Sequence, residues 1–242
     1  MSIFRTNSST PPVVLNLIIA NLVVFAASML FESDMIRFQL FTLDMRQGAM
    51  NVWNDYISFQ AMGDSNWSQA HFSFWQPLTY MFMHANFSHL FFNMFSLWMF
   101  GRTLELEMGW KRFLIYYIVC GVGAALFQMG VAQIDLAHLE VGSMDWVKYM
   151  ATPTVGASGA IFGLLLAFGL MHPNAMISLI FPPITLKAKW FVIIYGALEL
   201  LLGVSGTIDN VAHFAHLGGM FWGWLLLLWW RHQARKRNNY YY

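Results

Sequence analysis

The sequence predicts an all-α integral membrane protein, a bundle of six transmembrane helices with a short fourth helix starting inside the membrane. Three observations predict it. Of 242 residues, 58% are apolar and only 10% charged, where a soluble domain carries about 25% charge. Apolar runs recur that are long enough to cross a hydrocarbon core of about 30 Å, which takes about 20 helical residues. The basic residues then fall mostly on one side of the resulting topology, as cytoplasmic loops require. Gly, Trp, Phe and Met counts of 18, 11, 22 and 17 fit lipid as the solvent, since glycine lets helices approach and aromatics settle near headgroups. Disorder and a large soluble domain are excluded, and a net charge of +1 offers no general attraction to nucleic acid. The single cysteine, Cys120, rules out an internal disulfide.

Val13 to Phe31 forms the first span. It has no basic n-region before it and no small-x-small site after it, so it is expected as a retained helix. Residues 32–74 make a first outer loop, whose Trp53, Trp67 and Trp75 among alternating polar residues predict an element on the outer interface. Pro77 to Phe100 and Phe113 to Val131 are the second and third spans, followed by an outer loop at 132–157. Ser158 to Met171 rises only about 21 Å, and it is read as a fourth span because it is apolar and flanked by chain near lipid. Pro182-Pro183 ends a short apolar stretch, and Trp190 to Val204 and Val211 to Trp230 complete the six.

On one side of this arrangement lie Arg5, Arg102, Lys111, Arg112, Lys187, Lys189, Arg231, Arg235, Lys236 and Arg237, and on the other only Arg37, Arg46 and Lys148. Both termini are therefore expected in the cytoplasm, at the plasma (inner) membrane if the source is bacterial. The domain reading is a cytoplasmic N-terminus at 1–12, a six-helix membrane domain at 13–230 and a basic cytoplasmic tail at 231–242.

Ionisable and amide side chains are expensive inside a membrane and are functional candidates. The set here is His84, His89, Asn93, Ser158, Glu199, His213 and His216. Counting back from the basic end of each span, Ser158, His216 and His89 lie at roughly 21, 22 and 20 Å, at 1.5 Å per residue. Asn93 follows His89 at i+4 on the same face. Gly159-x-x-x-Gly163 and Gly219-x-x-x-Gly223 allow the fourth and sixth spans to touch, bringing Ser158 toward His216. A serine hydroxyl needs a base in contact, usually a neutral His. An acyl transfer also needs oxyanion donors, available from His89, Asn93 and the Ser158 N–H near a helix start. No third-member carboxylate is expected in this layer, so the set reads as a Ser-His dyad.

Other readings attach to the same residues. A membrane serine is often helix–helix glue. His213-x-x-His216 has the spacing of a metal pair, but no third ligand stands at matching depth, and no metal or cofactor is expected. Glu199 reads as a buried structural hydrogen-bonder ahead of a proton relay. Glu105 and Glu107, beside Arg102, Lys111 and Arg112, read as a solvated turn. A transporter would line a path with the same groups, yet no inverted repeat is visible. A non-catalytic binder of client helices also fits the composition.

The combination His84-x-x-x-x-His89-x-x-x-Asn93, Gly156-x-Ser158-Gly159-x-x-x-Gly163 and Ala215-His216-x-x-Gly219-x-x-x-Gly223, in that order on the second, fourth and sixth spans, resembles the rhomboid family of intramembrane serine proteases. The resemblance covers nearly the whole chain. It implies a six-helix fold with a water-filled cavity open to the outer side, and cleavage of single-span membrane proteins near the outer end of their transmembrane helix. It implies Ser158 as nucleophile, His216 as general base, His89 and Asn93 as oxyanion donors, and a supporting role for His84. The chain carries Trp75-Gln76 where members often carry Trp-Arg. His213 stands as a second candidate base, with the spacing to Gly219 and Gly223 favouring His216.

Overall fold

The computed structural model describes residues 10–30, 74–140, 143–151, 154–178, 183–205 and 211–239. Helix α1 (Pro12–Leu30) starts at a proline, whose fixed φ suits a first helical turn. The first outer loop, expected as an interfacial element, lies almost wholly outside the described residues. The stretch read as a continuous second span is broken. It comprises α2 (Gln76–Thr79), a 3₁₀ turn (Tyr80–Phe82), an extended Met83 and then α3 (Phe87–Ser96). The restart at α3 has a local cause: Asn86 is extended, and its side chain accepts from the His89 N–H at 2.8 Å, a helix N-cap. A π-helical turn (Leu97–Gly101) joins α3 to α4 (Arg102–Met108).

Gly109, at φ +78°, separates α4 from α5 (Trp110–His138). Then come α6 (Met144–Ala151), inside the outer loop expected at 132–157, and α7 (Ser158–Met171), with the bounds the hydropathy predicts. A short antiparallel pair, β1 (Met176–Ser178) and β2 (Thr185–Lys187), departs from the all-α expectation, with Ile177 opposite Leu186. Helices α8 (Ala188–Val204) and α9 (Val211–Asn239) follow. The last runs past Trp230, where the sixth span was expected to end. Helices α1 and α5 are long and apolar enough to cross a membrane.

The molecule is mostly helical and centred on α5, α7 and α9, each of which packs on the other two. Ala160, Leu164 and Ala167 of α7 and Phe113, Tyr116, Tyr117 and Cys120 of α5 are all fully buried and belong to one core cluster. The outer faces carry large apolar side chains instead of charges: Ile19 and Val23 on α1, Phe92 on α3, Ile193 and Leu201 on α8, and Trp224 and Trp229 on α9 are exposed. Patches of this extent are unusual on a water-soluble monomer and match a lipid-facing surface.

One correction concerns Glu105. It is buried, and its two carboxylate oxygens accept from the Val13 N–H at 3.0 Å and the Val14 N–H at 2.8 Å. The expected solvated turn is instead a bidentate cap on the N-terminus of α1, supplied from 91 residues away. Glu107 pairs with His172 at 3.0 Å.

Candidate active site

The site begins with an approach of two backbones. A Cβ added at Gly219 of α9 would fall inside the Gly159 carbonyl of α7, so only glycine lets these helices touch there. One residue before Gly159 and three before Gly219 stand Ser158 and His216. His216 Nε2 lies 2.8 Å from Ser158 Oγ, across 58 residues of sequence. The glycine pairs also admit α5. A Cβ at Gly163 would meet Cys120, and the Tyr116 hydroxyl donates to the Gly163 carbonyl at 2.9 Å.

The loop before Ser158 is fixed as well. Gly156 has φ +118°, a left-handed value that glycine adopts without strain, and its N–H donates to the Tyr80 carbonyl at 2.9 Å. A side chain there would collide with the His89 ring. The 3₁₀ turn, the Ser158 loop and His89 are therefore locked together.

Two contacts orient the His216 ring. Phe162, one turn after Ser158 on α7, stacks on it with centroids 4.1 Å apart and planes 6° from parallel. Glu199 of α8 places Oε2 2.9 Å from His216 Nδ1 and 2.6 Å from His213 Nδ1. Because an ionised carboxylate only accepts, both Nδ1 atoms carry hydrogens, and His216 Nε2 presents its lone pair to the Ser158 hydroxyl. The expectation that no carboxylate reaches this layer is thus corrected. Depth counted along the backbone ignores the reach of a glutamate side chain, and nothing in the sequence fixes how deep α8 starts. A signal was present nonetheless: Ala188, Glu199 and Gly203 share about 60° of arc at 100° per residue, which puts the glutamate on a stripe of small residues, and that stripe is the face of α8 that is buried.

The remaining predicted residues line the opposite side. His89 Nδ1 accepts a long, 3.4 Å bond from the Ala85 N–H, which leaves the proton on Nε2, the nitrogen beside Gly156. Asn93 is buried, and its amide donates to the His89 carbonyl at 2.7 Å; an NH₂ has a second hydrogen to give. His84 is buried, edge-on to the His89 ring at 5.1 Å. It reaches the site through His89.

A serine and a histidine paired between two helices of an apolar bundle define the class: a helical membrane protein with the polar groups of a serine hydrolase. Comparison with known sequences gives the family. Residues 71–233 match the Rhomboid domain, and the chain belongs to the rhomboid family. It is 28% identical over 217 residues to "Rhomboid protease AarA" of Providencia stuartii, covering 88% of this chain and 70% of that protein. It is 32% identical over 160 residues to "RHOMBOID-like protein 5" of Arabidopsis thaliana, covering 64% and 44%. "Rhomboid protease GluP" of Bacillus subtilis is 28% identical over 186 residues, covering 76% and 31%. The chain spans less than half the length of the last two.

Proposed function

We propose that the chain is an intramembrane serine endopeptidase that cleaves single-span membrane proteins in or near the outer end of their transmembrane helices, with Ser158 as nucleophile and His216 as general base. The observation that carries this reading is the 2.8 Å contact between Ser158 Oγ and His216 Nε2. Family membership and the relatives named as rhomboid proteases support it. Ser158 Oγ attacks the substrate carbonyl while its proton passes to His216 Nε2. The oxyanion meets the Ser158 N–H at the first position of α7, where helix amides lack intrahelical partners, together with His89 Nε2–H and the second hydrogen of the Asn93 amide. Collapse breaks the C–N bond, and the leaving amine takes the proton from Nε2. Water, deprotonated by the same nitrogen, then hydrolyses the acyl-serine.

The topology that goes with this reading has six spans at 13–230, α7 as a short fourth span, and both termini cytoplasmic, the basic segment 231–242 among them. The charge asymmetry and the apolar outer faces support it. Within a bilayer a substrate helix shields its own amides by hydrogen bonding, so substrates carry Gly, Pro or β-branched residues where they must unwind.

The test is cleavage of a tagged single-span protein in proteoliposomes, with covalent labelling by a fluorophosphonate. Ser158→Ala is expected to lose both, with a rate drop on the order of 10³-fold or more, while the protein stays folded. EDTA is expected to leave the wild-type rate unchanged, since no step uses a metal. Undiminished cleavage by Ser158→Ala would remove the assignment, and a chelator-sensitive rate restored by zinc would move it to a metalloprotease.

A further inference from the structure

Glu199 sets a single oxygen against two imidazoles, 2.6 Å from His213 Nδ1 and 2.9 Å from His216 Nδ1. These three side chains also have the composition of a metal site. Their spacing points elsewhere. Ligand atoms on one tetrahedral zinc, each about 2.0–2.1 Å from the ion, stand about 3.3 Å apart, whereas the observed separations are those of charge-assisted N–H···O bonds.

Stacking and hydrogen bonding constrain the His216 ring in different ways. Phe162, parallel to within 6°, fixes the plane of the imidazole but permits a 180° flip about Cβ–Cγ, which keeps that plane, and leaves either tautomer available. Only a contact at Nδ1 removes this freedom and selects the tautomer whose Nε2 accepts the serine proton. Resting on the reading of Ser158 and His216 as the hydrolytic pair, we propose that Glu199 is the positioning residue of the base, a third member supplied by α8, and that His213 holds its carboxylate from the other side. When His216 gains the serine proton, the resulting imidazolium faces a fixed counter-charge at Nδ1, and the proton stays on the imidazole. An ionised carboxylate this far inside an apolar bundle is costly, and two N–H donors offset the cost. Among the described residues His213 makes no hydrogen bond to Ser158, which pairs with His216, so the part of His213 is to keep Glu199 in place.

The experiment uses the full chain in proteoliposomes, with kcat and KM for a tagged single-span substrate, the rate of fluorophosphonate acylation, and the melting temperature in detergent. Glu199→Gln offers an amide that can donate to Nδ1 and drive the wrong tautomer. It is expected to lower kcat at least about a hundredfold, toward the about 10⁴-fold seen when a triad carboxylate is amidated, with KM within twofold and acylation slowed in parallel. His213→Asn, which still offers an N–H, is expected to stay within about threefold of wild type, while His213→Ala loses about tenfold. A folded Glu199→Gln with kcat within threefold of wild type would overturn the proposal. Should that variant not fold, the His213 pair decides: equal activity of Asn and Ala overturns it, and rescue by Asn alone sustains it. Ser158→Ala, run in parallel, separates the two levels. Cleavage that survives Ser158→Ala defeats the hydrolytic pair itself, whereas strict dependence on Ser158 with an indifferent Glu199→Gln defeats only the third member.

Discussion

Helix α7 is buried on nearly every side, with Gly159, Ala160, Gly163, Leu164 and Ala167 among its core positions. Helix α8, of similar apolarity, buries only Ala188, Val192, Glu199 and Gly203 and exposes Ile193, Leu198, Leu201 and Val204. Both contribute to the same site. Ser158 rides on the central helix, whose position is set by backbone contact with α9, while Glu199 rides on a peripheral helix that packs on α7 and α9 along one stripe. Apolarity alone does not say where a helix sits; small residues do, because they decide how close a neighbour can come.

The strongest way to break this comparison is to put a side chain into the central contact. Gly219→Ala drives a Cβ into the Gly159 carbonyl, and neither backbone can turn aside as a side chain would. We expect a loss of about 1–3 kcal/mol or more, seen as a lower melting temperature, and proteolysis reduced more than tenfold as Ser158 and His216 separate. The matched change on the exposed face of α8, Leu201→Ala, should leave both measurements unchanged. Equal effects would mean that the two helices are held alike.

A smaller effect sharpens the division of labour around His216. Phe162→Leu keeps an apolar side chain of similar bulk and removes the parallel ring, a contact of about 0.5–1.5 kcal/mol. The expected result is a kcat reduced about three- to tenfold with KM little changed, and a melting temperature lowered by a few degrees. A kcat equal to wild type would assign the whole orientation of the His216 ring to Glu199.

The smallest effect belongs to α1, which resembles α8 in being an outer helix tied down by a buried carboxylate. Glu105→Gln keeps an acceptor for one of Val13 and Val14 and loses the charge-assisted pair. A cost of about 1 kcal/mol shifts melting by about 2–4 °C for a chain of this size, and kcat should not move. A fall in kcat would show that α1 reports to the site after all.

Much of the fold and of the candidate site was legible, and the parts that were not share a reason. The bounds of α7 follow from a local run, Ser158 to Met171, ending before His172. The break before α3 was readable in principle from Asn86, a strong N-cap residue three before His89. It was hidden by the apolar residues around it, and the broken stretch is held by the long-range bond from Gly156 N–H to the Tyr80 carbonyl. The pairing of Ser158 with His216 was reachable because glycine spacing marks helix contact in the sequence itself.

Composition, span length and the order of the polar motifs thus determined by themselves that this is a helical membrane protein, and they singled out Ser158 and His216, since each is a property of residues near one another along the chain or of their sum. Only the tertiary structure decided that Glu199 meets both His213 and His216, that Phe162 lies flat on the imidazole, and that Glu105 caps α1. Those facts depend on the relative depth and rotation of helices far apart in sequence. Hydropathy constrains depth to within a turn or two and rotation hardly at all, whereas a hydrogen bond is lost within an ångström of displacement.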